Sequence, residues 1–194
     1  MQYGIYETIL IIKNIALTKA FHRKARLIRY PFYIRNSKNI NLGKGFTCGY
    51  NCRIESIECG EDKGYISFGD NARIGDSVHI AAANKVKIGK NVLMASKIYI
   101  SDCSHGMYNS DADTDTPYTN PSARKIISDP VEIGDNVWIG DNVCILKGVK
   151  IGDGTIIGAN AVVTKSVPEK SIAAGMPAKV IKKYNTYNNA WEAI

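Results

Sequence analysis

An aliphatic residue recurs at every sixth position through much of this 194-residue chain, and this spacing limits the possible folds more than any other feature. A glycine follows four of the six recurring positions in the clearest stretch, which are Ile133, Ile139, Ile145, Ile151, Ile157 and Val163. An amphipathic helix requires a period of about 3.6 residues and a half-exposed strand a period of about 2. Neither element by itself explains a period of six.

The recurring positions collect into sets of three, and longer interruptions separate the sets. The five sets occupy positions 42/48/54, 68/74/80, 88/94/100, 133/139/145 and 151/157/163. A coil of three short strands joined by tight turns accounts for this grouping, because each strand then points one aliphatic side chain inward. Stacked coils pair their edges about 4.8 Å apart and bury an aliphatic ladder. The sequence therefore predicts an all-β fold, a parallel β-helix over residues 36–182, without fixing its handedness.

Residues 1–35 precede the ladder and carry a helical pattern. The apolar residues on or near one helical face are Ile5, Ile9, Ile12, Ala16 and Phe21. We expect this helix to cap the open end of the prism, because an uncovered strand edge invites pairing with other chains. The segment is also basic, through Lys13, Lys19, Arg23, Lys24, Arg26 and Arg29. Attachment to an anionic membrane surface is the alternative use of such a helix.

Two further segments lie outside the ladder. Residues 101–130, after the third coil, are rich in Asp, Ser, Asn, Thr and Pro and predict a long protruding loop. A loop of that length inside a compact repeat is usually functional. Residues 183–194 predict a short C-terminal helix, which Trp191 and Ile194 would pack against the prism.

The formal net charge of +7 indicates an anionic partner: nucleic acid, a membrane surface or a phosphorylated small molecule. The basic residues do not alternate with aromatic residues as in nucleic-acid modules, so we expect no nucleic acid. The five cysteines fit neither a disulfide framework nor a CxxC pair. Cys48 and Cys144 read as small buried residues, and a metal site among the cysteines is the alternative. No apolar run reaches the ~18 residues that span a bilayer, and no signal-peptide pattern appears, so we expect a cytoplasmic protein.

The chain has three histidines, which makes the search for an acid–base group short. His22 belongs to the N-terminal helix and is expected to face solvent. His79 precedes an inward isoleucine, so it points out of a coil, either as a plain surface residue or as part of a substrate cleft. His105, in ISDCSHGMY, stands where the ladder gives way to the long loop. There a rigid scaffold presents a side chain to a mobile cover.

At this point the motifs resemble a known family. VKIGKNVLMASKIYISDCSHG, a long loop and VEIGDNVWIGDNVCILKGVKIGDGTIIGANAVVTKSVPEKSIAAGMPAKVIKK resemble the hexapeptide acyltransferase superfamily. The similarity extends over nearly the whole chain to the galactoside, maltose and xenobiotic acetyltransferase branch, and within it to bacterial O-acetyltransferases of lipopolysaccharide O-antigen biosynthesis. The resemblance implies a left-handed β-helix, a homotrimer with active sites between neighbouring prisms, acetyl-CoA as co-substrate and no metal.

The resemblance also assigns residues. His105 falls at the catalytic base, and Asp102, three residues earlier, is expected either to orient its ring or to form a turn. The positions that match coenzyme contacts are Trp138, Asp141, Ala159, Thr164, Lys165, Lys179 and Lys182. A substrate-side asparagine of the relatives falls at Gly75, which is a departure from the pattern. The acceptor residues expected nearby are His79, Asp76 and Asn84.

Physical chemistry supports the same roles. A sugar hydroxyl is a weak nucleophile, and an imidazole, whose ordinary pKa is about 6.5, is a suitable proton acceptor. Ammonium groups suit the phosphates of coenzyme A. The sequence thus predicts acetyl transfer from acetyl-CoA to a sugar or polysaccharide precursor in a cytoplasmic enzyme, and contact of the basic helix with the inner membrane face stays the alternative to its capping role.

Three alternatives stay open. N-acylation of a nucleotide-linked amino sugar would use the same base. A metalloenzyme of the carbonic anhydrase type needs three converging imidazoles, of which His79 and His105 supply two at most. A non-enzymatic, basic β-helix that binds anions would account for the charge alone.

Overall fold

The computed structural model describes residues 4–59, 62–109 and 114–194 and contains three parallel sheets around one core. Sheet A contains Leu27–Ile28, Thr47–Cys48, Arg73–Ile74, Leu93–Met94, Trp138–Ile139, Ile156–Ile157 and Ser171–Ala174. Sheet B contains Phe32–Arg35, Cys52–Ser56, His79–Ala82, Tyr99–Ser101, Cys144–Ile145 and Val162–Val163. Sheet C contains Ile40–Asn41, Tyr65–Phe68, Lys85–Ile88, Val131–Ile133 and Lys150–Ile151. The chain passes from A to B to C in each turn, so the fold is a parallel β-helix.

The core is the inward ladder that the six-residue period predicts. In sheet B, Ile80 pairs with Ile54 on one side and with Ile100 on the other, and all three side chains are buried. Burial of one such side chain contributes about 1.5–3 kcal/mol to the free energy of folding. Among the predicted inward positions, Leu42 is half-buried, because it lies just beyond the end of its strand.

The prism has one coil more at its N-terminal end than the sequence analysis predicts. Leu27–Ile28 and Phe32–Arg35 are strands of sheets A and B, so the assignment of residues 1–35 to a helical cap is wrong from residue 27 onward. Ile28, Ile34 and Ile40 are also six residues apart, and each pairs with a buried residue of the second coil, so they form the inward set of this first coil. No glycine follows them, so the sequence lacks the turn signal by which the other coils are recognised, and this coil was not predicted.

The N-terminal helix spans Ile5–Phe21 and covers the free edge of the first coil. The hydroxyl of Thr18 accepts a hydrogen bond from the Ile28 backbone N–H at 2.9 Å, and the side-chain oxygen of Asn14 accepts one from the Tyr30 N–H at 3.3 Å. Asn14 and Thr18 are therefore buried, because they satisfy a strand edge that no further coil covers. The face expected to pack on the prism, which includes Ile9, points away from it.

The C-terminal segment is a hairpin, and the predicted helix at 183–194 is wrong. Strands Lys179–Asn185 and Ala190–Ala193 pair antiparallel and extend sheet A beyond Ser171–Ala174. Trp191 packs edge-on against the ring of Tyr184, with ring centroids 5.3 Å apart. Pairing with an open sheet edge outweighs the weak helical preference of so short a segment.

The long loop leaves the prism inside a coil, at the corner between sheets B and C. Cys103–His105 pairs antiparallel with Ile126–Ser128, and we call residues 103–128 the arm. Residues 110–113 of the predicted loop lie outside the described residues. A smaller hairpin pairs Glu58–Cys59 with Asp62–Lys63. Within the described part of the chain, no helix is long and apolar enough to cross a membrane.

Candidate active site

His105 ends the first strand of the arm, and its side chain is exposed. Its backbone pairs with Ile126, and the next residue, Gly106, donates its N–H to the Lys125 carbonyl at 2.8 Å. The backbone that holds the imidazole is thus anchored on both strands. Among the described residues, the ring forms no hydrogen bond, so both ring nitrogens are open to a ligand.

Asp102 fixes the corner from which the arm departs. Its buried carboxylate accepts the backbone N–H groups of Ala83 and Asn84 at 2.8 Å each and of Lys85 at 2.5 Å. Its backbone carbonyl accepts the N–H of Asp129 at 2.8 Å, which ties down the returning strand. The carboxylate is turned toward the coil below, and none of these hydrogen bonds goes to the His105 ring.

Two arm residues that the sequence analysis did not select organise the backbone next to His105. The Tyr108 hydroxyl donates to the His105 carbonyl at 2.7 Å, and the Arg124 guanidinium donates to the same hydroxyl at 2.7 Å. Arg124 also donates to the Thr119 carbonyl at 2.9 Å. Gly106 has a φ of +92°, and a Cβ there would crowd the Tyr108 hydroxyl. In the sequence, the glycine directly after His105 was the one sign that the backbone is tightly packed at this point.

Asn84 is the predicted acceptor residue that lies next to the base of the arm. It is exposed at the B–C corner and lines a polar cavity of about 130 Å³ together with Lys63, Ala83 and Ser128. Ser128 pairs with Cys103 in the arm, so this cavity adjoins the strand that presents His105. Asn84 and His105 therefore share one corner of the prism, one coil apart.

His79 points outward from sheet B, as predicted, but both of its ring nitrogens are engaged. Nδ1 lies 3.2 Å from a guanidinium nitrogen of Arg53, and Nε2 lies 2.6 Å from a carboxylate oxygen of Glu55. A guanidinium only donates, so Nδ1 accepts and the proton sits on Nε2, which donates to Glu55. Arg35 completes the cluster with an ion pair to Glu55 at 2.9 Å. This ring has no vacant nitrogen for proton transfer.

Asp76 and Asp141 lie together at the opposite edge of sheet B, the corner between sheets A and B. The Asp76 carboxylate accepts the Tyr50 N–H at 2.7 Å, and the Asp141 carboxylate accepts the Ser96 N–H at 2.8 Å. Ser96 links the two, because its hydroxyl accepts the Asp76 N–H at 3.1 Å. The side chains of Asp76, Ser96 and Asp141 thus cap three successive turns along this corner, and Asp76 is separated from His105 by the width of sheet B.

The predicted coenzyme residues divide between two corners of the prism. Trp138 is half-exposed on the outer face of sheet A, and Ala159 is exposed at the A–B corner above Asp141. Thr164 and Lys165 are exposed at the B–C corner, two coils beyond the arm. Within one protomer, Trp138 and His105 therefore lie on different sides of the prism.

The two C-terminal lysines lie at the end of the prism. Lys179 pairs with Ala174 and Lys182 pairs with Ile172, and both lysines are exposed. The turn before them folds over sheet B, where the Ala178 N–H donates to the Val162 carbonyl at 2.8 Å. This places their positive charge at the last coil, next to the A–B corner.

Four cysteines have described side-chain surroundings: Cys48, Cys52, Cys103 and Cys144. Cys48 and Cys52 are buried neighbours, and the hydrogen bond that the Cys48 thiol donates to Cys52, together with burial, raises the pKa of the Cys48 thiol. Cys48 is buried as predicted, whereas Cys144 is half-buried on the outer face of sheet B, opposite Tyr99. Among the described residues, no group of three or more His, Cys, Asp or Glu side chains could hold a metal ion.

Known proteins resemble both the sequence and the fold. Residues 130–165 match the family model described as bacterial transferase hexapeptide (six repeats). The Escherichia coli (strain K12) protein named "Putative lipopolysaccharide biosynthesis O-acetyl transferase WbbJ" is 42% identical over 191 residues, 98% of this chain and 95% of that protein. The crystal structure of a maltose O-acetyltransferase from Clostridium difficile 630 superposes with a TM-score of 0.62 at 28% identity, and the match covers 90% of this chain and 88% of that one.

A more distant structure shares the fold. A mutant of AntD, an N-acyltransferase from Bacillus cereus, superposes with a TM-score of 0.69 at 19% identity. The match covers 84% of each chain, and that protein was crystallised with dTDP-4-amino-4,6-dideoxyglucose and coenzyme A. Hexapeptide-repeat neighbours of this kind imply the left-handed winding of the helix.

Proposed function

The chain belongs to the hexapeptide-repeat acetyltransferases and uses acetyl-CoA, and from that premise we propose that it acetylates a sugar hydroxyl with His105 as the general base. The observation that carries this proposal is the placement of His105. Its imidazole is exposed and without a hydrogen-bond partner in the described part of the chain, on a backbone that two strands hold. A general base needs this combination of a vacant nitrogen and a fixed position.

The reaction follows from that placement. The imidazole accepts the proton of the sugar hydroxyl while the hydroxyl oxygen attacks the thioester carbonyl carbon. The C–S bond then breaks, the new ester C–O bond remains, and the imidazolium returns its proton to the departing thiolate of coenzyme A. General base catalysis contributes about 10²–10⁴-fold, and positioning of the two substrates supplies much of the remainder.

The division of coenzyme residues between two corners supports a site shared by two protomers. One molecule of acetyl-CoA that meets both Trp138 and His105 would have to lie between two prisms. One protomer then supplies His105, and its neighbour supplies Trp138, Asp141 and Ala159. Repetition around an axis closes a trimer with three sites.

The remaining predicted residues extend this arrangement along the prism. Lys165, Lys179 and Lys182 are exposed near the last coils, where they would pair with the phosphates of the coenzyme, and Thr164 would line the same path. Asn84 would contact the acceptor next to the arm. Contacts of His79 and Asp76 with an acceptor remain predictions, and the engaged nitrogens of His79 favour a structural role.

We assign Asp102 a positioning role. Its carboxylate holds the Ala83–Lys85 backbone and its carbonyl holds Asp129, so it sets the direction in which the arm carries His105. The relative named for lipopolysaccharide biosynthesis covers 98% of this chain. It supports an acceptor that is a precursor of a surface polysaccharide, acetylated on the cytoplasmic side where acetyl-CoA is made.

The test is release of coenzyme A from acetyl-CoA with a panel of mono- and oligosaccharides, comparing wild type with His105→Ala. We expect acceptor-dependent release that falls by about 10²–10⁴-fold in the variant, with acetyl-CoA binding retained. Full activity in the variant would contradict the role of His105.

AntD keeps N-acylation open as the second candidate, because that protein was crystallised with a nucleotide-linked amino sugar. The stability of the product separates the two reactions. Mild alkali cleaves an ester and leaves an amide intact, so a product that survives alkali would overturn O-acetylation.

A further inference from the structure

The positive charge of this protein is concentrated at one end. Between Glu7 and Glu55 the chain has ten lysines and arginines and no acidic residue, whereas the remaining sequence has 15 basic and 18 acidic residues. The basic stretch runs from the N-terminal helix through the first coil and into the strand Cys52–Ser56 of the second coil. The net charge of +7 thus arises entirely from the N-terminal end of the prism, which lies away from the lysines proposed to bind coenzyme A.

The N-terminal helix presents an apolar stripe on its outer side. Ile5, Ile9, Ile12 and Ala16 follow the spacing i, i+4, i+7 and i+11, which places them on one helical face. That face lies opposite Asn14, which contacts the prism. The three isoleucines are 84%, 59% and 61% exposed.

Two lysines border this stripe. At about 100° per residue, Lys13 falls on one side of the stripe and Lys19 on the other. Tyr6 and Ile15 continue the apolar surface at its margins and are also exposed. An apolar stripe between basic margins is the pattern of a helix that lies in the plane of a membrane interface.

The direction of the stripe is fixed by how the helix is held. Hydrogen bonds between coils run along the axis of a β-helix, and Asn14 and Thr18 bond the free edge of the first coil in that direction. The helix therefore lies across the end of the prism. Its outer stripe faces away from the molecule along the axis.

A basic groove adjoins the same end. It has a volume of about 730 Å³ and is lined by the end of the helix and the turns of the first two coils. Its charged lining residues are Lys19, Arg23, Lys24, Arg26, Lys44 and Asp70. Five bases against one acid make this groove suitable for the phosphate of an anionic headgroup.

We propose that the N-terminal end of the prism docks on an anionic phospholipid surface, with the stripe Ile5–Ile9–Ile12–Ala16 in the interface and the basic groove on the headgroups. Charge complementarity selects this occupant. A second copy of the chain would bring two ends with ten bases each together, and their repulsion opposes such a contact. In this orientation the prism stands upright on the membrane. His105, three coil steps and one helix diameter away, stands about 25 Å above the plane of the stripe.

The experiment is co-sedimentation of the 194-residue protein with vesicles of phosphatidylcholine that contain phosphatidylglycerol, and with vesicles of phosphatidylcholine alone. We expect binding to the anionic vesicles only, weakened by added salt. The double variant Ile9→Ser/Ile12→Ser should weaken binding at least about tenfold, because binding scales with buried apolar area. Arg23→Gln/Lys24→Gln should weaken it about 25-fold.

Matched variants elsewhere control for general effects. Ile194→Ser removes an isoleucine that is 74% exposed near the other end, and Lys85→Gln/Lys87→Gln removes two exposed bases of sheet C. These variants should bind vesicles as wild type does. Absence of wild-type binding, or equal binding by Ile9→Ser/Ile12→Ser, would overturn the proposal. So would a smaller oligomer for that variant in sedimentation velocity, because it would show that a second copy covers the stripe.

Discussion

Removal of the Asp102 carboxylate should destabilise the fold at the corner where the arm begins. In Asp102→Ala, three backbone N–H groups lose their acceptor, and that of Ala83 is fully buried. A buried donor left without a partner costs about 1–3 kcal/mol. The N–H groups of Asn84 and Lys85 are only partly buried, so water replaces some of the loss there. The sum is about 3–5 kcal/mol.

Thermal unfolding followed by circular dichroism at one protein concentration measures this effect. About 2–4 °C is lost per kcal/mol in a chain of this size, so we expect the Tm of Asp102→Ala to fall by about 10 °C. Asp102→Asn keeps an amide oxygen as acceptor and should lose about half as much. Asp135→Ala is the matched control, because its carboxylate accepts one N–H, that of Lys90, at an exposed corner. It should change stability by about 1 kcal/mol at most.

The same variants separate positioning from catalysis. If Asp102 sets the backbone of the arm, Asp102→Asn lowers kcat while the pH profile of kcat/KM keeps its shape. A carboxylate that oriented the His105 ring would change that profile on substitution. A Tm of Asp102→Ala within about 2 °C of that of Asp135→Ala would refute the assignment of the three N–H groups.

Two further substitutions test the arm and the stacking of coils. Tyr108→Phe removes the hydroxyl that donates to the His105 carbonyl, so kcat/KM should fall about 2–10-fold, as the loss of one hydrogen bond predicts. Tyr118→Phe is the control, because this side chain in the same arm is 96% exposed, and it should leave kcat/KM unchanged. Equal effects of the two substitutions in steady-state kinetics would show that the hydroxyl does not hold the arm. Gly64→Ala would drive a Cβ into a backbone carbonyl of the next coil and should cost about 1–3 kcal/mol in urea unfolding. Gly4→Ala is the control, because a Cβ there meets only a Glu7 carboxylate oxygen at the ordinary contact distance of 3.8 Å, and it should cost less than half of that.

Much of the fold could be predicted from the sequence, since a β-helix repeats one local rule. Every sixth side chain points inward, so residues such as Ile80 and Ile139 are recognisable without knowledge of their partners. The first coil was missed because Ile28, Ile34 and Ile40 obey the period without glycine at the turns. The C-terminal hairpin was missed because its strand depends on pairing with Ser171–Ala174, an edge that exists only after the coils have stacked.

The candidate site, like the fold, could be predicted from the sequence only in part. The sequence marked His105, because one of three histidines stands where a regular repeat meets an irregular loop. It could not show that three backbone N–H groups hold the Asp102 carboxylate, or that Tyr108 and Arg124 brace the arm. These partners are brought together by the stacking of coils and the pairing of the arm strands, which no local sequence pattern indicates.

By itself, the sequence determined the architecture, because the six-residue period specifies which side chains are buried. It also determined the chemistry offered, through one imidazole and a set of lysines. Only the tertiary structure decided which faces those groups occupy. The apolar stripe of the helix faces outward, because Asn14 and Thr18 on the opposite face form hydrogen bonds with the free strand edge. Trp138 and His105 lie on different sides of the prism. The physical reason is that a residue's position in the six-residue repeat decides whether its side chain is buried. The hydrogen-bond partners of a strand edge or a corner, in contrast, depend on which distant part of the backbone lies next to it.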